Sequence, residues 1–266
     1  ATPFAVCREL IDEYITVSND ELCQAIQLIW ESQRCIPEPA GAMGVAGLLQ
    51  QGKRFAGKRV LTVLCGANVD FGKLGVIASR AGIGMLERRY LRVEISERPG
   101  AMLELLNEAF GELNIMDFQY GKTDADRAWP IFGFAADERE MGRFLHALEA
   151  KRFQFEEVSH SEDVLFRVIP YRQELLQNPI FLKLEFYERP GALRDFINQR
   201  LSGKANLCYF NYSYSGERVG RALIGLEFND ATDRAEFLSN MARRGDGFRS
   251  CEAVDAHVMQ RMLCEK

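Results

Sequence analysis

The chain has 266 residues, 47% of them hydrophobic and 27% charged, and a net charge of −5 at pH 7, so it has room for one large or two or three small domains. No apolar stretch reaches membrane-spanning length and no signal peptide opens the chain, which predicts a soluble cytosolic protein without a membrane partner.

The cysteine and histidine counts bear on metals and disulfides. Seven cysteines are scattered along the chain, and an odd, scattered set favours free thiols in a reducing compartment over a disulfide framework. There are three histidines, and neither cysteines nor histidines occur in paired spacing. We therefore expect no metal site.

The N-terminal part of the chain predicts a helical and α/β region. Residues 18–21 (SNDE) have the pattern of a capping box, and the following apolar residues recur at helical spacing. Residues 38–42 (EPAGA) open a helix of small residues, which permits close packing. The apolar run at 60–64 (VLTVL) predicts a strand that leads into a glycine-containing loop at 65–71 (CGANVDF) and then a helix. Open α/β sheets present ligand sites at such strand ends.

A repeat dominates the rest of the sequence. The pentapeptide ERPGA occurs at residues 97–101 and 188–192, and NIMDFQY at 114–120 matches NLCYFNY at 206–212. The offset is 91 residues at the first block and 92 at the second, so one residue has been inserted between them. Self-similarity this close indicates a duplicated unit.

Each copy predicts the order β-α-β-β-α-β. In the first copy, alternation at 91–95 predicts a strand, a helix follows that Gly111 is placed to end, strands are predicted at 115–120 and 128–135, and a second helix follows. The second copy begins with a strand at 181–186 and repeats this order. Such a unit forms an antiparallel sheet with both helices on one face, and two copies are expected to pair side by side. Residues 153–179 are predicted to be a connector between the copies.

The turn before the first helix of each copy is a candidate ligand site. Gly100 and Gly191 let a ligand approach the backbone, and the helix start offers unpaired N–H groups that suit the carboxylate of an amino acid. The alternative is that the Pro-Gly pair only makes a tight turn. Tyr120 and Tyr212 end matching strands and are candidates to close the site, the alternative being core packing with the hydroxyl at the surface.

RNA binding is a second interpretation of the same strand order. RNA-binding folds of this topology stack bases on strand aromatics, and Phe118, Tyr120, Phe210 and Tyr212 are candidates for that role. Those folds also need a basic face, and no concentrated Lys/Arg stretch supplies one. We therefore expect no nucleic-acid partner.

The paired ERPGA turns, with FQY at 118–120 and FNY at 210–212, resemble the two ACT-like regulatory subdomains of biosynthetic threonine deaminase. The resemblance implies an α/β remnant of a catalytic domain at 1–86, a first ACT-like (ferredoxin-like, α+β) subdomain with connector at 87–177, and a second at 178–266. It implies isoleucine as inhibitor, valine as activator, and a homo-oligomeric dimer or tetramer. The effector-binding residues it implies are Glu97, Gly100, Tyr120, Glu188, Gly191 and Tyr212. Some members carry a basic residue shortly before the first tyrosine, where this chain has Leu113.

The upstream segments resemble the pyridoxal-phosphate (PLP) pocket of threonine and serine dehydratases. Residues 38–42 resemble their Glu-Pro-Ser-Gly-Ala segment and residues 65–68 (CGAN) their Ser-Gly-Ala-Asn loop. By position, Cys65 would face the pyridine nitrogen and Glu38 would line the pocket, with a thiol replacing the usual hydroxyl as the neutral partner. The alternative is that Cys65 is simply a small buried residue. The cofactor-binding residues predicted on this basis are Glu38, Gly41, Cys65, Gly66 and Asn68.

The family resemblance implies a PLP-dependent lyase that converts threonine to 2-oxobutanoate and ammonia in isoleucine biosynthesis. The lysine motif that holds the cofactor in this family, and its glycine-rich phosphate loop, are not found in the sequence. We therefore predict no catalytic residue in this chain and interpret it as the C-terminal portion of a longer enzyme, inactive alone. One alternative is a non-catalytic amino-acid sensor. Another keeps the enzyme but takes serine as the substrate.

Overall fold

A computed structural model describes residues 2–84, 88–110, 113–189, 191–200, 205–215, 217–241 and 248–263 of the chain. Predictions that fall on Gly111 and Pro190 lie outside these residues. The chain divides into two compact units, Ala1–Glu87 and Arg88–Lys266. Among the helices described, none combines the length and apolar character that crossing a bilayer requires.

The first unit is built from helices. They are α1 (Thr2–Leu10), α2 (Asn19–Gln33), α3 (Pro39–Gln50), α4 (Gly52–Phe55), a 3-10 turn (Phe71–Lys73) and α5 (Leu74–Gly84). The predicted capping box starts α2, because the Glu21 N–H donates to the Ser18 hydroxyl at 3.2 Å and the Ser18 N–H donates to the Glu21 carboxylate at 2.6 Å. A small core forms where Ile26 and Ile29 of α2 pack against Ala42 of α3.

The strand predicted at residues 60–64 does not form. These residues have no regular secondary structure, and Leu61 and Val63 are largely exposed. A strand needs a neighbour to take up its backbone hydrogen bonds, and no described residue of this unit adopts the strand conformation. The prediction from the apolar run alone was therefore wrong.

In the second unit, the described residues form one antiparallel sheet of nine strands. They are β1 (Arg88–Ser96), β2 (Asn114–Gly121), β3 (Arg127–Ala128), β4 (Ile131–Ala135), β5 (Gln154–Glu157), β6 (Ile180–Tyr187), β7 (Ala205–Ser213), β8 (Val219–Phe228) and β9 (Phe248–Ala253). Their order is β3-β1-β4-β2-β7-β8-β6-β9, with β5 also paired to β1. The two copies meet at β2 and β7, where Gln119 lies opposite Asn211, which confirms the side-by-side pairing.

The helices of each copy cover one face of this sheet. They are α6 (Ala101–Leu105), continued by a π-helical turn (Leu106–Phe110), α7 (Glu138–Ala150), α9 (Ala192–Arg200) and α10 (Ala231–Met241). The core between helices and sheet contains Leu105 and Met141 from the first copy and Phe196 from the second. The rings of Phe118 and Phe210 stack across the β2–β7 junction with centroids 4.3 Å apart, so one core serves both copies.

The predicted connector contains a strand. Part of it covers the face of the first-copy sheet that lies opposite the helices. Residues 154–157 form β5, the outer strand next to β1, so the prediction that residues 153–179 only connect the copies was incomplete. The chain then crosses the sheet through α8 (Glu162–Leu165) and a 3-10 turn (Gln173–Leu175), and α11 (Ala256–Met262) follows β9. Gly121 allows this crossing, because a Cβ there would clash with the carbonyl oxygen of Pro170.

Candidate functional site

The two duplicated turns have the same backbone conformation. Gly100 and Gly191 adopt φ values of 87° and 78°, in the left-handed region that favours glycine. Each glycine carbonyl accepts a hydrogen bond of 2.9 Å from the following helix, from the N–H of Glu104 in the first copy and of Asp195 in the second. The helix that follows each turn therefore begins in the same way, as the repeat predicts.

The first turn carries a buried polar network that joins the two copies. The hydroxyl of Tyr120 donates to the Glu97 carboxylate, which also accepts from the side-chain amide of Asn206 at 2.6 Å. The same amide donates to Glu227 at 2.9 Å, and the Lys122 ammonium donates to that carboxylate at 2.5 Å. A buried ion pair and a bridging asparagine thus link the turn of one copy to strands of the other.

Burial sets the protonation of this network. Burial raises the pKa of Glu97, while the hydrogen bonds from Tyr120 and Asn206 act against the shift. Burial and the neighbouring Glu97 carboxylate raise the pKa of Tyr120, so its hydroxyl stays a donor. Tyr120 and Asn206 are therefore neutral donors to the Glu97 carboxyl group.

The second turn repeats the carboxylate–tyrosine pair in simpler surroundings. The Tyr212 hydroxyl lies 2.9 Å from both oxygens of Glu188. Burial raises the pKa of Glu188 against the effect of this hydrogen bond, and burial together with the bond to Glu188 raises the pKa of Tyr212. Asn114, the counterpart of Asn206, donates instead to the sulfur of Met116 at 3.3 Å.

The repeat offset shows where the two turns differ. Ala135 stands at the position that matches Glu227, and Tyr214 at the position that matches Lys122. The buried ion pair of the first turn therefore has no charged counterpart at the second. Because the two networks are built differently, the two turns should respond differently to a charged ligand.

A small cavity lies beside the second turn and is lined by both copies. It has a volume of about 20 Å³, which holds one water molecule, so a larger ligand requires its walls to move. The first copy contributes Leu106, Phe110, Leu113, Asn114 and Ile115, and the second contributes Phe186, Glu188, Arg189, Gly191, Ala192, Leu193, Arg194 and Tyr212. The cavity thus combines a carboxylate, a helix start and an apolar wall.

The predicted effector residues lie at these two turns. Glu188, Gly191 and Tyr212 line the cavity, and Glu97 bonds Tyr120 at the other turn. Both tyrosines pack in the core, as the alternative interpretation held, but their hydroxyls bond carboxylates and do not lie at the surface. Whether these residues bind an effector stays a prediction.

Sequence reasoning missed three members of the first network. Asn206, Lys122 and Glu227 meet only because β2 and β7 pair across the two copies. The matched asparagines at 114 and 206 were a signal available in the repeat. The register that brings Asn206 to Glu97 could not be read from it.

The aromatic residues considered for RNA stacking face the core. Phe118, Tyr120, Phe210 and Tyr212 are each at most 4% exposed. Bases cannot stack on rings that are covered by helices. The base stacking on these four rings that the RNA-binding interpretation requires is therefore excluded by their burial.

The predicted cofactor residues of the first unit lie mostly together. The Glu38 N–H donates to the Gly66 carbonyl at 3.0 Å, which holds the start of α3 against the loop. A Cβ at Gly41 would clash with the carbonyl oxygen of Cys65, and one at Gly66 with the Glu38 side chain. Cys65 is exposed, so the alternative of a small buried residue was wrong, and Asn68 is exposed two residues beyond Gly66.

Fold and site together define a class of protein, a duplicated β-α-β-β-α-β domain that follows a separate helical unit. The family described as the C-terminal regulatory domain of threonine dehydratase matches residues 79–168 and 172–258, and the chain belongs to that family. The family described as pyridoxal-phosphate dependent enzyme matches residues 1–66.

The chain is similar to proteins of several bacteria. The chain is 29% identical over 246 residues to L-threonine dehydratase biosynthetic IlvA of Haemophilus influenzae, covering 90% of this chain and 47% of that protein. The protein of the same name from Burkholderia multivorans is 29% identical, over 91% of this chain and 48% of its own length. The one from Escherichia coli is 30% identical, over 85% and 45%. The chain thus spans about half the length of these relatives.

Proposed function

We propose that the second unit binds a free amino acid as an allosteric effector at its duplicated turns. The observation that carries the proposal is the Glu188–Tyr212 pair beside a cavity lined by both copies. Membership of a regulatory-domain family supports it. The Glu97–Tyr120 pair at Gly100 is the equivalent site of the first copy.

The second turn offers a partner for each part of an amino acid. The Glu188 carboxylate suits the ammonium group, and the backbone N–H groups at Gly191 and the start of α9 suit the carboxylate. Leu106, Phe110 and Leu193 suit a branched aliphatic side chain. This combination favours isoleucine and valine.

Allosteric control of activity follows because residues of both copies line one cavity. An effector that binds one arrangement of the copies better than another shifts the equilibrium between them, typically by about 1–3 kcal/mol of coupling free energy. In this proposal isoleucine stabilises a low-activity arrangement and valine opposes it. The 20 Å³ cavity must widen for either ligand, so binding and rearrangement are coupled.

For the intact protein we propose the PLP-dependent conversion of threonine to 2-oxobutanoate and ammonia. A Cβ at residue 41 or 66 would prevent the close contact between the start of α3 and the loop at 65–68. The Glu38–Gly66 contact is therefore suited to form one wall of a cofactor pocket. Cys65 would present its thiol to the ring nitrogen, and Glu38 and Asn68 would line the same wall. When bound, the cofactor acts as an electron sink for the carbanion left by loss of the α-proton.

Three further expectations belong to this proposal. The chain alone is expected to lack dehydratase activity, because the lysine motif is not in its sequence. The intact protein is expected to act in the cytoplasm as a homo-oligomer, a dimer or tetramer. A purely non-catalytic sensor is disfavoured by the match of residues 1–66 to the pyridoxal-phosphate enzyme family.

Isothermal titration of L-isoleucine and L-valine into this chain tests the effector site. We expect saturable binding that Tyr212→Phe weakens about tenfold, because the hydroxyl that orients Glu188 is lost. Tyr187→Phe is the matched control, since that tyrosine is 58% exposed at the end of β6. Absence of heat with both amino acids would remove the regulatory proposal.

A further inference from the structure

A second, larger cleft lies on the outer face of the first-copy sheet, under the connector. Its volume is about 420 Å³, within the range of small-molecule sites. Gln119 and Ile131 line it from β2 and β4, alternating with Phe118 and Phe132, which face the helices. The cleft is therefore on the opposite face of the sheet from α6 and α7.

One buried polar atom in this cleft lacks a partner. Gln119 is 2% exposed, and its amide nitrogen donates to Asp117 at 3.2 Å and to the Val164 carbonyl at 3.5 Å. Its amide oxygen has no hydrogen-bond partner among the described residues. A buried acceptor without a donor is unfavourable, so a ligand in the cleft that donates to this oxygen would remove that cost.

The second copy shows what kind of donor suits this position. Asn211 matches Gln119 in the repeat and lies directly opposite it in the β2–β7 pair. Its side-chain oxygen accepts from the guanidinium of Arg167 at 2.5 Å. The same guanidinium forms an ion pair with Asp117. The Asn211 oxygen of the second copy thus has a cationic donor from the connector, whereas the matching Gln119 oxygen has no donor among the described residues. The repeat thus points to a cationic N–H donor for Gln119.

The charges and apolar groups of the cleft also favour a cationic donor. Glu156 and Asp163 line it together with one cation, Arg92, which lies 2.5 Å from Asp163 and 3.6 Å from Glu156. These three side chains carry a net charge of −1. Trp129 and Ile131 add aromatic and apolar surface, and an aromatic face attracts cations.

We propose that this cleft binds a small molecule with a primary ammonium group and a short apolar body. The ammonium donates to the Gln119 oxygen and is balanced by the two carboxylates, while the apolar body packs on Trp129 and Ile131. Both an alkylamine and a free amino acid present this chemistry. Tyr120, whose hydroxyl bonds Glu97 at the first turn, also lines the cleft, but the proposal does not rest on the proposed function of the turns.

Titration of 3-methylbutylamine and, separately, L-isoleucine into the full chain tests the site. We expect saturable one-to-one binding of the amine, weakened about tenfold by Gln119→Leu and about threefold by Glu156→Gln. Glu162→Gln is the matched control, because it removes a carboxylate from the same segment and this side chain is not among the cleft's lining residues. Glu156 is exposed, so its variant keeps the test valid if Gln119→Leu does not fold.

The two ligands separate the possible sources of the ammonium group. Isoleucine binding that falls in Gln119→Leu and not in Tyr212→Phe supports a free amino acid in the cleft, and weakening of the amine alone supports an alkylamine. No saturable binding of either ligand overturns the proposal. Binding that neither Gln119→Leu nor Glu156→Gln weakens overturns it too.

Discussion

At the scale of single residues, the two copies place the same pair in different electrostatic surroundings. Glu97 and Glu188 each accept from a tyrosine hydroxyl, but only the first is tied through an asparagine to a buried ion pair in the described structure. A buried charge is tolerated where it is paired, and removing one partner leaves the other uncompensated. The first turn is therefore the more tightly constrained of the two.

The ion pair at the first turn should be sensitive to single substitution. Lys122→Met leaves the Glu227 carboxylate buried without its cation and is expected to lower the free energy of unfolding by about 3 kcal/mol. Denaturant unfolding measures this. The double variant Lys122→Met with Glu227→Gln should recover part of the loss, and Arg98→Met, from an exposed pair, should change stability by less than about 1 kcal/mol. Equal losses in both single variants would contradict this interpretation.

Glu97 also predicts a pH dependence. Its pKa is raised above the ordinary 4.5, so the folded state holds this proton more tightly than the unfolded state, and stability falls as pH rises from 4.5 through the raised pKa. Glu97→Gln abolishes this contribution. The variant should gain stability relative to the parent as the pH rises above 4.5, measured as denaturation midpoints at each pH. A stability difference that stays constant with pH would argue against a raised pKa.

At the scale of elements, each turn depends on a backbone conformation that glycine supplies. Gly191 adopts φ 78° just before α9, where a side chain is strained whatever space surrounds it. Gly142, in the middle of α7, is exposed with nothing within 4 Å of a Cβ. The two glycines thus make opposite predictions for the same substitution.

Gly191→Ala should destabilise the protein by about 1 kcal/mol because of the left-handed backbone, and should weaken effector binding at that turn. Gly142→Ala should stabilise it by about 0.5–1 kcal/mol, because alanine is the better helix former. Thermal unfolding of both variants checks the contrast. Stabilisation by both substitutions would show that the turn does not need glycine.

Sequence was a good guide to elements and a poor one to their partners. Alternation at 91–95 and the repeat offset predicted the strands and their order, because side-chain period and duplication are local signals. The run at 60–64 failed, since an apolar run does not say whether a neighbouring strand exists. The predicted order includes a last strand after the second helix, which is β5, but its residues were assigned to the connector because four residues, three of them polar, give little pattern.

At the scale of the whole second unit, the β2–β7 pairing joins the two copies into one continuous sheet with a shared core. Phe118 and Phe210 stack across the junction, and Arg167 joins Asp117 of the first copy to Asn211 of the second. The candidate site could be predicted as two separate turns. That each turn borrows residues from the other copy depends on this pairing, and no periodicity in one copy encodes it.

In our proposal an amino acid binds where both copies meet. Hydrogen–deuterium exchange with and without L-isoleucine tests it most directly, because exchange reports protection segment by segment. We expect slower exchange in residues 113–116 of the first copy together with residues 191–197 of the second. Protection confined to one copy, or none at saturating isoleucine, would contradict it.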